Sequence, residues 1–279
     1  MIADEHGGGE SSDENIVGEI RAKANGIIAG TSVVDRLVVQ HFPECTVTWN
    51  VTEGEGVQSG EQVLNISGPA VQVLRCERIM LNILGRMSGI ATNTAAWVSQ
   101  ARNIGVACTR KTDWGLLDKW SVHVGGGLTH RLSRADALMI KENDLAALAP
   151  GIEEEDVAVA TAVSLIDMDS DAEFTVIEVR DSSQAVAAVK AWDSLQIERS
   201  GCEKIVLLLD NMGPSGCAEV HHILMQENLR AWCILEGSGG VVHEDLGQWI
   251  ESGVDLVSTS ALNRGVSPLD LSMKIVGGD

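Results

Sequence analysis

The chain has 279 residues, of which 40 are Asp or Glu and 20 are Lys or Arg, giving a formal net charge of −20, and 44% are hydrophobic. That apolar share supplies a core for one large α/β domain or two modest ones and excludes a chain disordered throughout. The charge excludes nucleic acid or an anionic membrane as the main partner, because both demand a basic footprint.

In chain order, residues 1–14 read as a frayed acidic tail without an apolar h-region, so no secretory signal is expected. No later run reaches the ~18 apolar residues of a transmembrane helix. Cys45, Cys76, Cys108, Cys202, Cys217 and Cys233 form no Cys-x-x-Cys pair and read as reduced thiols of a cytoplasmic protein. Lysine is scarce and tyrosine absent, so the acid excess also fits adaptation to salt, a matter of solvation.

From Val17 to about Gly68, short alternating pieces such as Thr46 to Val51 are separated by glycine turns, which predicts a small β-rich half-domain. The apolar spacing of Val71, Leu74, Ile79, Leu81 and Leu84 predicts one or two helices between Val71 and Arg102. Beyond Ile104, β-branched or Leu-rich runs recur at 106–109, 137–140, 175–179, 205–209, 231–235 and 254–257, mostly with helical stretches between them. Six strands and a possible seventh, alternating with helices, predict a parallel sheet that is closed or nearly closed into a barrel.

Each run is followed by polar residues: Arg110-Lys111, Lys141-Glu142-Asn143, Arg180 after Glu178, Asp210-Asn211, Glu236-Gly237-Ser238 and Ser258-Thr259-Ser260. The C-terminal ends of barrel strands converge on one face, so these residues are expected in one pocket. Lys141 ends an apolar strand, where a lysine needs a partner or a cleft. Glu178 and Asp210 suit Mg²⁺ on a phosphorylated substrate, or serve as counter-ions to Lys141 and Lys111. Ser238-Gly239-Gly240 and Ser258-Thr259-Ser260 offer N–H groups and hydroxyls in the last two strand-to-helix loops, the usual phosphate position in barrels. Gly125-Gly126-Gly127 is an anion cradle or a tight turn. No Walker or dinucleotide fingerprint occurs, and the adjacent His221-His222 lacks a third metal ligand.

Together, Glu77 to Asn82, Ser88-Gly89-Ile90-Ala91-Thr92, Thr109-Arg110-Lys111-Thr112, Gly125 to Arg131, Ile140-Lys141-Glu142-Asn143, Leu209-Asp210-Asn211 and Ser238-Gly239-Gly240 resemble the quinolinate phosphoribosyltransferase family, in order, over about residues 17–276. The resemblance implies an α/β fold: an N-terminal open-faced α/β sandwich (15–104), a seven-stranded incomplete α/β (TIM-like) barrel (105–265) and a C-terminal segment (266–279) returning to the first domain. It implies transfer of phosphoribosyl from phosphoribosyl pyrophosphate to quinolinate with loss of CO₂, using Mg²⁺, in a homodimer or larger assembly with shared active sites. By motif, Arg78 reaches a neighbour's quinolinate, and Arg110, His130 and Arg131 line that pocket. Lys111 and Lys141 lie between the substrates, Glu178 and Asp210 serve the Mg²⁺-bound ribose pyrophosphate, and the Ser238 and Ser260 loops hold the 5-phosphate.

The two substrates are polyanions, and residues 75–143 hold 10 Lys+Arg against 5 Asp+Glu inside the acidic whole. The cation set assigned to the site, Arg78, Arg110, Lys111, His130, Arg131 and Lys141, exceeds the need of a monocarboxylate, which sets the quinolinate reading above a molybdate-associated paralogue acting on another substrate, and a non-catalytic phosphate binder has no need of Glu178 and Asp210 together with Lys141. Departures from the family pattern are Asp113 to Trp120, with a shorter loop and one arginine fewer, Ser260 in place of glycine, and Asn263-Arg264 in place of Thr-His.

Overall fold

The computed structural model describes residues 14–133, 136–167 and 174–278. The tail expected over 1–14 lies outside them, apart from Glu14. The chain divides into two units, one taking in the described residues up to Ala95, Trp120–Gly126 and those from Gly265 on, the other Ala96–Lys119 and Gly127–Arg264.

The first unit runs β1 (Asn15–Ala22), β2 (Gly26–Ile27), α1 (Thr31–His41), β3 (Thr46–Trp49), β4 (Gly56–Val57) and β5 (Gln62–Pro69) into α2 (Ala70–Ala101). The helices expected between 71 and 102 are therefore one, because no proline interrupts the stretch and its apolar spacing never breaks. Its core joins Ile20, Val34, Val38, Leu64 and Ile66 to Val73, Met80 and Leu84 of α2. The last strand of the chain, Leu271–Gly278, lies antiparallel to β1 and completes a sheet whose far strands are β5 and β3. Residues leading into it cross α2 closely: the Leu269 N–H donates to the Gly85 carbonyl at 2.8 Å. A Cβ on Gly89 would stand 2.3 Å from the Ser267 oxygen, so this helix position requires glycine despite its cost in helix propensity.

The second unit supplies β6 (Gly105–Cys108), α3 (Leu116–Val124, whose C-terminal part belongs to the first unit), β7 (Ala137–Ile140), α4 (Glu142–Leu148), α5 (Glu155–Ser164), β8 (Phe174–Val179) and α6 (Ser182–Arg199). It continues with β9 (Ile205–Asp210), α7 (Gly213–Gln226), β10 (Cys233–Ser238), α8 (Leu246–Glu251) and β11 (Leu256–Thr259). All six strands pair parallel in the order β6-β11-β10-β9-β8-β7. The seventh is reduced to a single parallel bridge between Leu128 and Ala107, beyond the β6 edge. The result is a curled half-barrel. Helices α6 and α7 pack on β8, β9 and β10, where Ile177, Val179, Leu207, Leu209 and Leu235 are fully buried. Among the described residues no helix is long and apolar enough to cross a membrane.

Two strands sit later than expected. The run at 231–235 starts in a 3₁₀ turn (Arg230–Trp232) and becomes strand only at Cys233, while the run at 254–257 becomes β11 from Leu256. Pairing to β9 carries β10 on to Ser238, opposite Asp210, and carries β11 opposite it to Ser258. Small residues make this possible, since a Cβ on Gly237 would meet the Trp249 ring at 2.4 Å. Ser258 and Thr259 therefore belong to a strand and not, as expected, to a loop.

One carboxylate organises the first unit. Glu53 accepts from Gly30 N (2.9 Å), Thr31 N (2.8 Å), Thr31 Oγ1 (2.7 Å) and Trp120 Nε1 (2.8 Å), capping the N-terminus of α1. Burial opposes its charge, but these hydrogen bonds outweigh burial and hold its pKa below the ordinary value. Replacing Glu53 with Ala is expected to cost about 2 kcal/mol in chemical denaturation at neutral pH. Because the folded pKa is the lower one, this contribution is full above the unfolded carboxylate range and disappears as pH falls through the folded value. The gap between the parent and Glu53→Ala should therefore close on acidification below pH ~4.

Candidate active site

The site is a consequence of register. Glu178, Leu208, Glu236 and Leu256 form one row across β8, β9, β10 and β11, and Asp210, Ser238 and Ser258 form the next. Residues two apart on a strand face the same side, so both rows share the face of Val176, Val206, Leu208 and Ala137, an apolar cluster that starts with Leu208 in the first row and extends below it. Polar groups on this face begin only at the strands' C-terminal ends.

Lys141 caps β7 one residue beyond the Ile140–Ile177 pair, so it meets Glu178. Their side chains form an ion pair in which Lys141 is 45% and Glu178 15% exposed. Glu178 thus serves as the counter-ion of Lys141, one of the two readings open from the sequence. Asp210 instead accepts from Asn211 Nδ2 at 2.8 Å and from Ser238 Oγ at 3.3 Å. Asn211 adopts φ 56°, and Gly239 and Gly240 follow Ser238 at φ 87° and 63°, a path that glycine takes without strain.

Arg110 and Lys111 are exposed on the loop after β6. This loop is shaped by the positions that depart from the family pattern. Buried Asp118 accepts from Asp113 N (2.9 Å), Trp114 N (3.3 Å) and Asn263 Nδ2 (3.3 Å), and Asn263 Nδ2 also donates to the Lys111 carbonyl at 3.0 Å. Arg264 lies 3.9 Å from Asp113. The shortened loop and the Asn263-Arg264 pair therefore fit one another.

His130 takes a left-handed conformation with φ 52°. Its Nε2 is 3.0 Å from Glu236 Oε2, and its Nδ1 accepts from Arg131 N at 2.8 Å. Glu236 is only 1% exposed. Lys119 is equally deep, at 4%. Its Nζ donates to the carbonyls of Cys108 (3.1 Å), Arg131 (3.2 Å) and Thr129. Burial lowers its pKa, Cys108 acts the other way, and Arg110 and Arg131 lower it further.

Of the phosphate loops, Ser238 ends β10 and Ser260 lies past β11, where its carbonyl accepts from Arg264 N at 2.9 Å. Thr259 is buried with its hydroxyl bonded to the Val241 carbonyl at 3.1 Å, and Ser258 is 6% exposed. Within Gly125-Gly126-Gly127, Gly126 (φ 86°) turns the chain out of α3, its N–H bonded to the His123 carbonyl at 2.9 Å, which is the tight-turn reading. His221 accepts from Arg230 and His222 pairs with Gln226; among the described residues no cluster could hold a metal by itself. All six cysteines are free, and only Cys202 is exposed. Arg78 is exposed on α2 in the first unit.

Sequence reasoning placed Glu236 among the polar strand ends of the pocket without a particular partner, and it gave no role to Lys119, Asp118 or Asn263. Glu236 carried a signal, an acid inside an otherwise apolar strand. Lys119 carried none, since a lysine in a short helix reads as surface. Asn263→Ala removes the donor shared by Lys111 and Asp118, and a loss of about 1–3 kcal/mol is expected in thermal or urea unfolding.

Comparison with known proteins supplies the family. The model for the C-terminal domain of quinolinate phosphoribosyl transferase matches residues 90–274, and that for its N-terminal domain matches residues 10–88. A probable carboxylating nicotinate-nucleotide pyrophosphorylase of Methanothermobacter thermautotrophicus is 32% identical over 94% of this chain and 89% of its own. The chloroplastic carboxylating enzyme of that name from Oryza sativa is 33% identical over 91% of this chain and 68% of its own. The solved structure of NadC from Streptococcus pyogenes superposes with a TM-score of 0.78 at 28% identity, covering 95% of this chain and 87% of that one. With both domain models matched in order along one chain, this protein belongs to the quinolinate phosphoribosyl transferase family.

Proposed function

We propose that the chain transfers phosphoribosyl from phosphoribosyl pyrophosphate to quinolinate and releases CO₂, forming nicotinate mononucleotide and pyrophosphate. Beside the family, the observation that carries this reading is the polar edge of the half-barrel, where the Lys141–Glu178 pair and the Asp210–Ser238 pair stand above an apolar layer. Quinolinate has two adjacent carboxylates, and Arg110 and Arg131 suit them because guanidinium binds carboxylate through two parallel hydrogen bonds.

The ring nitrogen attacks the anomeric carbon as the bond to pyrophosphate breaks, and pyrophosphate leaves with the electron pair. Lys111 and Lys141 offset the charge that builds on it. Glu178 holds the Lys141 ammonium at the strand end, which aims that cation before substrate arrives. The ring nitrogen is then cationic, so it stabilises the electron pair left on the neighbouring carbon when CO₂ departs, and a proton replaces the carboxylate. Backbone N–H groups at Gly239 and Gly240, with Ser238 and Ser260, hold the 5-phosphate. Ser258 and Thr259 support that loop from within β11.

Mg²⁺ fits this donor set as an ion carried on the pyrophosphate. Glu178 and Asp210 have protein partners, and together with substrate oxygens they would hold the ion and supply negative charge beside it. When bound, Mg²⁺ neutralises part of the charge on the leaving group. The working form is a homodimer or larger assembly in which Arg78 serves the site of a second copy. Exposed Val71 and Leu74, with exposed Arg75 and Arg78, occupy one stripe of α2 at helical spacing, which supports an assembly surface there. A cytoplasmic location suits six free cysteines.

The test is production of nicotinate mononucleotide and CO₂ from quinolinate, phosphoribosyl pyrophosphate and Mg²⁺, with nicotinate as the control. Product from nicotinate alone would overturn the substrate assignment, and no product from either would overturn the reaction. Lys141→Ala should lower turnover about 100-fold or more. Mixing Arg78→Ala with Lys141→Ala chains should restore part of the activity; no recovery despite demonstrated subunit exchange counts against shared sites.

A further inference from the structure

In the function proposed above, Lys111 serves the pyrophosphate and Ser260 the 5-phosphate of one and the same substrate. Their loops leave neighbouring strands, because Cys108 and Thr259 pair across β6 and β11. Lys111 is exposed, yet its backbone is tied on both sides: its N–H donates to Thr109 Oγ1 at 3.2 Å, and its carbonyl accepts from Asn263 Nδ2 at 3.0 Å. Asn263 itself belongs to the other turn, where its N–H donates to the Ser260 carbonyl at 3.3 Å. One residue therefore has its backbone in the phosphate turn and its side chain under the lysine.

Asn263 Nδ2 also donates to Asp118 Oδ2 at 3.3 Å, and the same oxygen accepts from Asp113 N (2.9 Å) and Trp114 N (3.3 Å). Asp118 and Asn263 are both buried. A carboxylate is tolerated in an interior where hydrogen bonds replace its water, and here one oxygen gathers three N–H donors. Asn263 Oδ1 is buried without a hydrogen-bond partner among the described residues. The amide is thus placed for its donors, and it leaves a desolvated acceptor that an apolar residue filling the same space would not.

We propose that Asn263, seated by Asp118, is a positioning residue that sets the spacing between the Lys111 loop and the Ser260 turn to match a ribose 5-phosphate joined to pyrophosphate. Both residues act through backbone and touch no substrate. Each half of the substrate is held by its own loop, so slack between the loops leaves the binding of either half intact. What slack removes is the advantage of presenting both halves at once, since the second contact gains from the first only where the spacing fits. The family pattern has threonine at this position, and the single hydroxyl donor of threonine cannot serve both the Lys111 carbonyl and Asp118, so this chain with its shorter loop depends on the amide. The role rests on the function proposed above.

The experiment is titration calorimetry of the full chain and its variants in Mg²⁺ with three probes: phosphoribosyl pyrophosphate, pyrophosphate and ribose 5-phosphate. Asn263→Ala and Asn263→Thr should weaken phosphoribosyl pyrophosphate about 10-fold or more while the Kd of each half stays within about 2-fold. Asp118→Asn puts an amide oxygen where the three N–H groups meet and should stay within about 3-fold of the parent on all three probes, whereas Asp118→Leu should follow Asn263→Ala. Folded Asn263 variants that bind phosphoribosyl pyrophosphate like the parent, or that lose one half as much as the whole, overturn the positioning role. So does Asp118→Asn losing as much as Asp118→Leu, which would make the charge and not the geometry the cause. Should Asn263→Ala and Asp118→Leu fail to fold, Asn263→Thr, which fills more of the site, decides. An unaltered chain that binds none of the probes overturns the function and this role with it; an unaltered chain that binds all three, with variants that match it, overturns the role alone.

Discussion

Parallel hydrogen bonding in register is the constraint from which the site follows. Once Ser238 is set opposite both Asp210 and Ser258, the residues two positions earlier, Glu236, Leu208 and Leu256, fall into a row with Glu178. Lys141, one step past β7, has Glu178 as its neighbour. A slip of one residue in any strand would send its polar side chain to the face covered by helices, where the desolvation of an unpaired carboxylate is prohibitive. The apolar rows below and behind the sheet therefore hold the chemistry in place although none of their residues takes part in it.

Charge is the second organising quantity. The chain carries a net charge of −20, yet its deepest described charges include an ammonium, Lys119, and the carboxylate Glu236, each with named hydrogen-bond partners. Glu53 plays the corresponding part in the first unit, where four donors on α1 and Trp120 hold it ionised. Hydrogen bonds to the charged form make such groups affordable in an interior, and they also make them specific, since each works in one geometry only.

The loop after β6 illustrates how departures from a family pattern can be coupled. Asp113, Trp114 and Asp118 lie about 150 residues from Asn263 and Arg264, yet the Asp118 carboxylate and the Asn263 amide join the first four, and Arg264 stands 3.9 Å from Asp113. In the sequence, the short loop and the Asn263-Arg264 pair are two departures from the family pattern far apart along the chain. Folding makes them parts of one network that seats the backbone of Lys111.

The amino-acid sequence by itself determined the alternation of strands and helices, the strand ends at which Lys141, Glu178 and Asp210 stand, and the family, because periodicity, strand-end polarity and ordered motifs are local properties. It did not determine where β10 and β11 end: small polar residues such as Ser238, Ser258 and Thr259 read as loop, and only pairing to neighbouring strands draws them into the sheet. Nor did it reveal that Lys119 and Glu236 are buried, since burial is not a property of a residue type but of what folds around it. Tertiary structure alone decided that Glu178 answers Lys141, that Asp210 turns to Asn211 and Ser238, and that His130 stands against Glu236, because each depends on distances between residues that only the register of a folded sheet brings together.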